Sequence, residues 1–143
     1  MRTVLLVHAA STLAMVGVIW IVQLVQYPGF LEVGASEFRA YHAAHSQRIS
    51  LIVGPLMAIE GVTALWLLVA RPAAIPLWAV VAGLVLLAVA LGTTMVVSVP
   101  LHGTLANGWD AEAIGRLVRT NWIRTVAWTA RGALALWFVS LAR

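Results

Sequence analysis

Three histidines in the polar parts of this chain have the type and spacing of a metal site. His42 and His45 lie three residues apart, so a helix through them would carry both imidazoles on one face. His102 follows a separate apolar stretch and could supply a third ligand. Neutral imidazoles in such a set bind copper, iron or zinc. The sequence therefore predicts a transition-metal site at His42, His45 and His102, although these imidazoles could instead act as general acids or bases without a metal.

Glu60 and Arg131 are charged residues in the middle of long apolar segments. The depth of each residue is counted from the helix end on the side of the two longer connections. At a rise of 1.5 Å per residue, both lie at a depth of roughly 15 Å. An unpaired charge at membrane depth is costly, and pairing removes most of that cost. We therefore expect the two side chains to face each other, either to fix helix packing or to take part in chemistry.

The last apolar segment carries a stripe of polar and aromatic residues. Asn121, Arg124, Trp128 and Arg131 fall within a sector of about 80° when each residue turns the helix by 100°, and this face is expected to line the protein interior. Arg124 lies near the end of the segment, so its side chain could instead extend to the membrane interface. In the functional interpretation, the two arginines form a cationic wall for an anionic or enolate-like ligand. The candidate catalytic residues are His102, Asn121, Arg124, Glu60 and Arg131.

Composition places these residues in a membrane protein. Of 143 residues, 62% are hydrophobic and 10% are charged, whereas soluble domains carry about 25% charged residues. The chain has no cysteine, which excludes disulfides and thiolate chemistry. Its net charge of +4 comes from arginine and suits lipid headgroups or an anionic ligand rather than nucleic acid. Four stretches are long enough, at about 20 residues, to cross a bilayer: 4–26, 49–70, 76–99 and 122–142.

These stretches predict one all-α domain, 1–143: an integral membrane antiparallel four-helix bundle with both termini on the same side. The sequence RPAAIP after the second stretch predicts a tight hairpin between spans two and three. Pro28 and Pro100 are expected to end the first and third spans. Short interfacial helices are expected in the 1–2 and 3–4 connections, capped by Ser36 and Asp110 respectively, although the first could instead continue into span two.

The stretch from Pro100 to Thr125 resembles a known family. It is similar to small four-span bacterial membrane proteins grouped with anthrone-oxygenase-like proteins, in which a proline ends span three, a polar loop and surface helix follow, and span four opens with Asn-x-x-Arg-Thr. Asn121 and Arg124 match that element, while 101–103 reads Leu-His-Gly where the family has an asparagine-rich turn. The resemblance implies a four-helix bundle that oxidises a small aromatic, lipophilic substrate with oxygen, with Asn121 and Arg124 as site residues.

Two functions follow from these observations, and whether the chain is an enzyme stays open between them. The first is a membrane-embedded oxidoreductase or oxygenase acting on a small lipophilic or aromatic substrate at a polar site near one membrane face. A histidine would remove a proton while Arg124 stabilises the oxyanion, or a copper, iron or zinc cofactor would activate oxygen. The second is a non-catalytic accessory or binding subunit of a larger membrane complex or a homo-oligomer. The expected partners are the lipid bilayer and a lipophilic small molecule, with no nucleic acid.

The expected location is the bacterial plasma (inner) membrane, as a multi-pass protein. A plain count of arginines places the side that carries the two long connections in the cytoplasm. Several of those arginines are candidate site residues, however, and functional arginines can mislead the rule. We therefore expect both termini to lie in the cytoplasm.

Overall fold

A computed structural model describes residues 1–142, and every regular element within that range is helical. The all-α prediction is confirmed for this part of the chain. Three helices are long and apolar enough to cross a membrane, and a fourth of 31 residues carries arginines that lower its hydropathy. The four helices are α1 Arg2–Glu32, α2 Phe38–Ala70, α3 Leu77–Leu105 and α4 Ala111–Leu141.

The helices α1 and α3 continue through a proline because a π-helical turn precedes it. In α1 the turn is Val22–Gln26, followed by Pro28, and in α3 it is Thr94–Ser98, followed by Pro100. A proline has no N–H and its ring meets the carbonyl four residues back. The wider π turn, whose bonds reach five residues back, adds a residue and moves that carbonyl. The prediction that Pro28 and Pro100 end their helices is therefore wrong.

The two expected interfacial helices are also not separate elements. The segment from Phe38 onward runs without a break into α2, and the segment after Asp110 runs without a break into α4. Asp110 caps α4 as predicted, because its carboxylate accepts the amide N–H three residues on at 3.0 Å. Ser36 does not cap α2, since Glu37 takes the N-cap position without a side-chain bond and the Ser36 hydroxyl donates to its carboxylate. Neither segment contains a proline before its span, and α4 continues through Gly115, so each helix runs on into its span.

Packing is organised around α4, which contacts both α1 and α3, while α1 also packs against α2. The short 71–76 connection joins α2 to α3, and Arg71 Nε donates to the Ile75 carbonyl at 3.0 Å. One apolar cluster includes Phe30, Phe38 and Trp128, and a smaller cluster forms where the chain begins. Large apolar side chains also cover the outside. In residues 1–142, twelve polar or charged side chains are buried between the helices, whereas a soluble fold keeps most of its polar side chains on the surface.

The polar end of the molecule is where the two longer connections lie, and we call it the connection end. The last turns of α1 and α3 and the first turns of α2 and α4 meet there. All four helices are longer at this end than the predicted 4–26, 49–70, 76–99 and 122–142. These added turns carry Tyr27, His42, His45, His102 and Asn121 of the candidate site. Arg143, which belongs to the predicted 1–143 domain, lies outside the described residues.

Candidate functional site

A chain of hydrogen bonds links Tyr27, His102 and His42 at the connection end. The Tyr27 hydroxyl lies 3.1 Å from His102 Nε2, and His102 Nδ1 lies 2.9 Å from His42 Nε2. Tyr27 follows the π turn of α1, and His102 is present here because α3 continues past Pro100. The His42 ring stacks on Phe38, with centroids 5.7 Å apart and planes at 19°. This stacking fixes the direction in which His42 Nε2 points.

The Tyr27–His102–His42 chain can move a proton in either direction. A bond between two imidazole nitrogens needs one N–H and one lone pair, so the two rings cannot both be doubly protonated. If the Tyr27 hydroxyl donates to His102, then His102 Nδ1–H donates to His42. In the reverse order, His42 Nε2–H donates to His102 Nδ1, and His102 Nε2–H donates to the Tyr27 oxygen. The arrangement therefore accepts a proton at the tyrosine oxygen and passes one out at His42.

Arg124 is a buried guanidinium that pairs with no carboxylate in residues 1–142. It is 6% exposed, and its Nη1 donates to Ser98 Oγ at 3.3 Å and to Asn121 Oδ1 at 3.0 Å. Its Nε is buried and makes no hydrogen bond. Within residues 1–142 the ion pair found is between Arg131 and Glu60. Because an uncompensated buried charge is expensive, the positive charge of Arg124 is available for an anionic ligand.

A buried amide network holds Arg124 in place. Asn121 Nδ2 donates to Gln23 Oε1 at 3.0 Å, and the Thr125 hydroxyl lies 3.3 Å from the same oxygen. Gln23 Nε2 in turn donates to the Val118 carbonyl at 3.1 Å. Asn121 and Thr125 are fully buried, so water cannot replace these bonds. The network ties α1 to α4 and fixes the Asn121 oxygen that receives Arg124.

A cavity of about 150 Å³ lies beside Arg124 and beside the Tyr27–His102–His42 chain, which we call the relay. Its walls are mainly apolar and come from all four helices, and its polar lining residues are Tyr27, His45, Ser50, Thr94, Ser98, His102 and Arg124. A concave, mostly apolar space with a few convergent polar groups is the usual form of a small-molecule site. The apolar lining residues are Met15, Val18, Ile19, Val22, Ile49, Val53 and Val99.

The three histidines lie close together but do not form a metal site. The His42 and His102 rings are joined end to end by their hydrogen bond, with centroids 5.2 Å apart, and the centroid of His45 lies 6.2 Å from that of His102. Both nitrogens of His102 are already engaged, one by Tyr27 and one by His42. No group of three or more His, Asp or Glu side chains in residues 1–142 could hold a metal ion. The predicted copper, iron or zinc site is therefore unsupported, because the nitrogens of His102 are directed at Tyr27 and His42 instead of at a point shared with the other two rings.

A second polar cluster lies deeper, around Glu60. The carboxylate is fully buried; its Oε2 accepts the indole N–H of Trp128 at 2.9 Å and lies 4.0 Å from Arg131 Nη2. Arg131 also donates to the Gly83 carbonyl. The Trp128 ring lies under the Arg124 guanidinium, 5.4 Å from its carbon. Trp128 therefore joins the deep cluster to the site at the connection end.

The deep cluster contains polar atoms without partners. Thr12 Oγ1, Glu60 Oε1, and the Nε and Nη2 atoms of Arg131 are buried and make no hydrogen bond within the described residues. His8 Nδ1 of α1 lies 2.8 Å from Thr63 Oγ1 of α2. Buried polar groups of this kind are the places where internal water binds. The cluster is a structural junction with room for further hydrogen bonds.

The structure thus divides the predicted site residues into two groups. His42, His102, Asn121 and Arg124 lie together at the connection end with His45 beside them, whereas Glu60 and Arg131 pair with each other in the deep cluster. The sequence analysis did not assign the residues that complete the site. Their signal was the presence of hydrogen-bonding side chains within or beside apolar spans. These residues are Gln23, Tyr27 and Ser98.

Comparison of the chain with protein-family models, with curated proteins and with solved structures finds no match. The resemblance of the Pro100 to Thr125 stretch therefore stays an expectation from sequence. The function must be argued from the geometry of the site itself.

Proposed function

We propose that this chain is a membrane-embedded enzyme that removes a proton from a small lipophilic substrate and holds the resulting oxyanion against Arg124, as the first step of an oxidation. The single observation that carries the proposal is the buried, carboxylate-free guanidinium of Arg124 at the wall of an apolar cavity. A fixed positive charge in a dry site stabilises developing negative charge far better than water does. Such a charge suits an enolate or a phenolate.

The proton is taken up by the hydrogen-bonded chain at the cavity wall. The substrate proton passes to the Tyr27 oxygen while the Tyr27 proton passes to His102 Nε2, and the His102 Nδ1 proton passes to His42 Nε2. The two transfers within the chain run along hydrogen bonds of 3.1 and 2.9 Å, within the reach that proton transfer needs. The substrate oxygen remains as an anion beside Arg124. His45, which lines the cavity without a hydrogen bond to the described residues, is a competing base that mutation can distinguish.

The oxidation that fits this anion is oxygenation by dioxygen. A methylene group beside a carbonyl loses its proton, the enolate gives electrons to dioxygen, and the carbon becomes a second carbonyl. One oxygen atom stays in the product and the other leaves as water, so no further reductant is required. The resemblance of the Pro100 to Thr125 stretch to anthrone-oxygenase-like proteins supports this reaction class.

We place the protein in the bacterial plasma membrane as an antiparallel bundle of four spans with both termini in the cytoplasm. In support, three helices have the length and hydropathy of spans. Their outer faces expose large apolar side chains such as Leu51, Val62 and Val69. Arg124 and Arg131, the arginines within the expected span of α4, face the interior, which allows this helix to cross lipid among the other three. The polar site would then open near one membrane face.

The test is deuterium exchange into phenylacetone, whose methylene lies between a ring and a carbonyl. Purified protein in detergent is incubated without oxygen in heavy water, with Arg124→Gln as the variant and Arg119→Gln, an exposed arginine on the same helix, as the control. Removing one oxyanion donor costs about 100-fold in rate or more. We expect that loss in Arg124→Gln and none in the control, and we expect oxygen to convert phenylacetone to the diketone. Equal rates in both variants would refute the role of Arg124. No exchange by the wild type would favour the accessory or binding subunit.

A further inference from the structure

A second cavity leads from the site to the outside of the helices. It is a groove of about 360 Å³ between α1 and α2, lined mostly by apolar side chains. Tyr41 and Ile52 mark its two ends on α2, which corresponds to roughly 16 Å at 1.5 Å per residue. The groove is therefore long and narrow, with the shape of a chain and not of a compact molecule. Its apolar lining is formed by Val18, Ile21, Val22, Ala44, Ile49 and Ile52.

The groove and the inner cavity are adjacent. Val18, Val22, His45 and Ile49 line both spaces, so these four side chains form the junction between them. At the connection end, Gln26 Nε2 donates to the Tyr41 hydroxyl at 3.1 Å across the groove. That bond closes the polar end and leaves the apolar side of the groove open. A molecule in the inner cavity would extend past the junction toward the exposed apolar faces.

The sizes of the two spaces limit what can occupy them. An apolar protein cavity of about 150 Å³ holds one benzene ring, which equals the volume of the inner cavity. A fused three-ring substrate therefore does not fit there without movement of the walls. The groove adds a larger, mainly apolar volume, whose polar lining residues are Gln26, Tyr41, His45 and Arg48. The two spaces together have room for one ring and one flexible aliphatic chain.

We infer that the substrate is an amphiphile with a single oxygen-bearing ring, which lies in the inner cavity with its oxygen toward Arg124, and an aliphatic tail, which lies in the groove between α1 and α2. The inference rests on the proposed function, since it names the substrate class of the same site. The charge of Arg124 holds the oxygen of the ring, and the apolar side chains of the groove hold the tail by packing against it. The substrate enters sideways from the lipid and not from water.

The test is photolabelling with a decyl phenol that carries a diazirine in the middle of its chain. The protein is reconstituted in phosphatidylcholine vesicles, irradiated with the probe, digested and analysed by mass spectrometry, with and without excess unlabelled decyl phenol. We expect labels that the competitor removes on groove residues such as Ile21 and Ile52. Lipid-facing residues such as Leu51 should carry only labels that the competitor does not remove.

A matched pair of variants tests the groove. Ala44 lines the groove and its neighbour Ala43 is exposed outside it, so Ala44→Phe should lose the competed labelling and Ala43→Phe should keep it. Binding of para-nitrophenol, which has the ring without a tail, serves as a control for folding and should be unchanged in both variants. If competed labels are absent from the groove while para-nitrophenol still binds, the tail site is refuted and the proposed function stands. If the wild type binds neither probe, the proposed function fails with it.

Discussion

Trp128 joins the two polar clusters, and replacing it should reveal how strongly they are coupled. Its indole is fully buried, donates to Glu60 at 2.9 Å and lies under Arg124. Trp128→Phe keeps an aromatic face but removes the indole N–H that donates to Glu60 Oε2. That oxygen is then left with Arg131 Nη2, 4.0 Å away, as its partner. A hydrogen bond to a charged group contributes about 1.5 to 3 kcal/mol, and the smaller ring leaves a cavity that adds roughly 1 kcal/mol. We expect Trp128→Phe to lower the free energy of unfolding by about 3 kcal/mol.

A double-mutant cycle with Glu60→Gln separates the hydrogen bond from the packing. The glutamine keeps an acceptor oxygen but removes the charge, so the indole bond falls from the charged to the neutral range, a difference of about 1 kcal/mol. Trp128→Phe should therefore cost about 1 kcal/mol less in the Glu60→Gln background than in the wild type.

The assay is equilibrium unfolding in mixed micelles with increasing sodium dodecyl sulfate, followed by tryptophan fluorescence and circular dichroism. Trp122→Phe is the matched control, because Trp122 is 43% exposed on the same helix and substitutions at such sites change stability by about 0.5 kcal/mol or less. If Trp128→Phe costs the same in both backgrounds, to within about 0.5 kcal/mol, the indole and the carboxylate are not coupled. The reasoning about the deep cluster would then be refuted.

Three further predictions concern the site at the connection end. Tyr27→Phe should slow deuterium exchange into phenylacetone by about 100-fold, since it breaks the relay at the cavity, while binding of para-nitrophenol stays; unchanged exchange would point to His45 as the base. Asn121→Ala should lower stability by about 2 kcal/mol in the same unfolding assay, because it leaves buried partners unsatisfied; a loss below about 0.5 kcal/mol would contradict the network. Elemental analysis of purified protein should find no stoichiometric copper, iron or zinc, and a metal that His102→Ala removes would contradict the hydrogen-bonded arrangement of His102.

Helical geometry made part of this site predictable. A turn of 100° per residue is enough to place Asn121, Arg124, Trp128 and Arg131 on one face, and all four are buried. A constant rise per residue likewise brought Glu60 and Arg131 to the same depth, where they lie 4.0 Å apart. These inferences needed only the regularity of a helix and the cost of an unpaired charge in an apolar interior.

The features that the sequence did not reveal depend on departures from that regularity. Nothing in the residues before Pro28 and Pro100 separates a helix that stops from one that passes through a π turn, because the outcome depends on packing around the turn. Tyr27 and His102 meet only because both helices continue. The metal prediction was unsupported for a related reason: a spacing of three puts His42 and His45 on one face, but it does not set the directions of their rings.

The most direct test of the central claim, that Arg124 stabilises an oxyanion in the cavity, is the absorption spectrum of bound para-nitrophenol. The measurement is made at a pH where the free phenol is largely un-ionised, with wild type, Arg124→Gln and the Arg119→Gln control. The account predicts the yellow phenolate on the wild type and on Arg119→Gln, and the colourless phenol on Arg124→Gln. The same phenolate fraction on all three proteins would contradict the account.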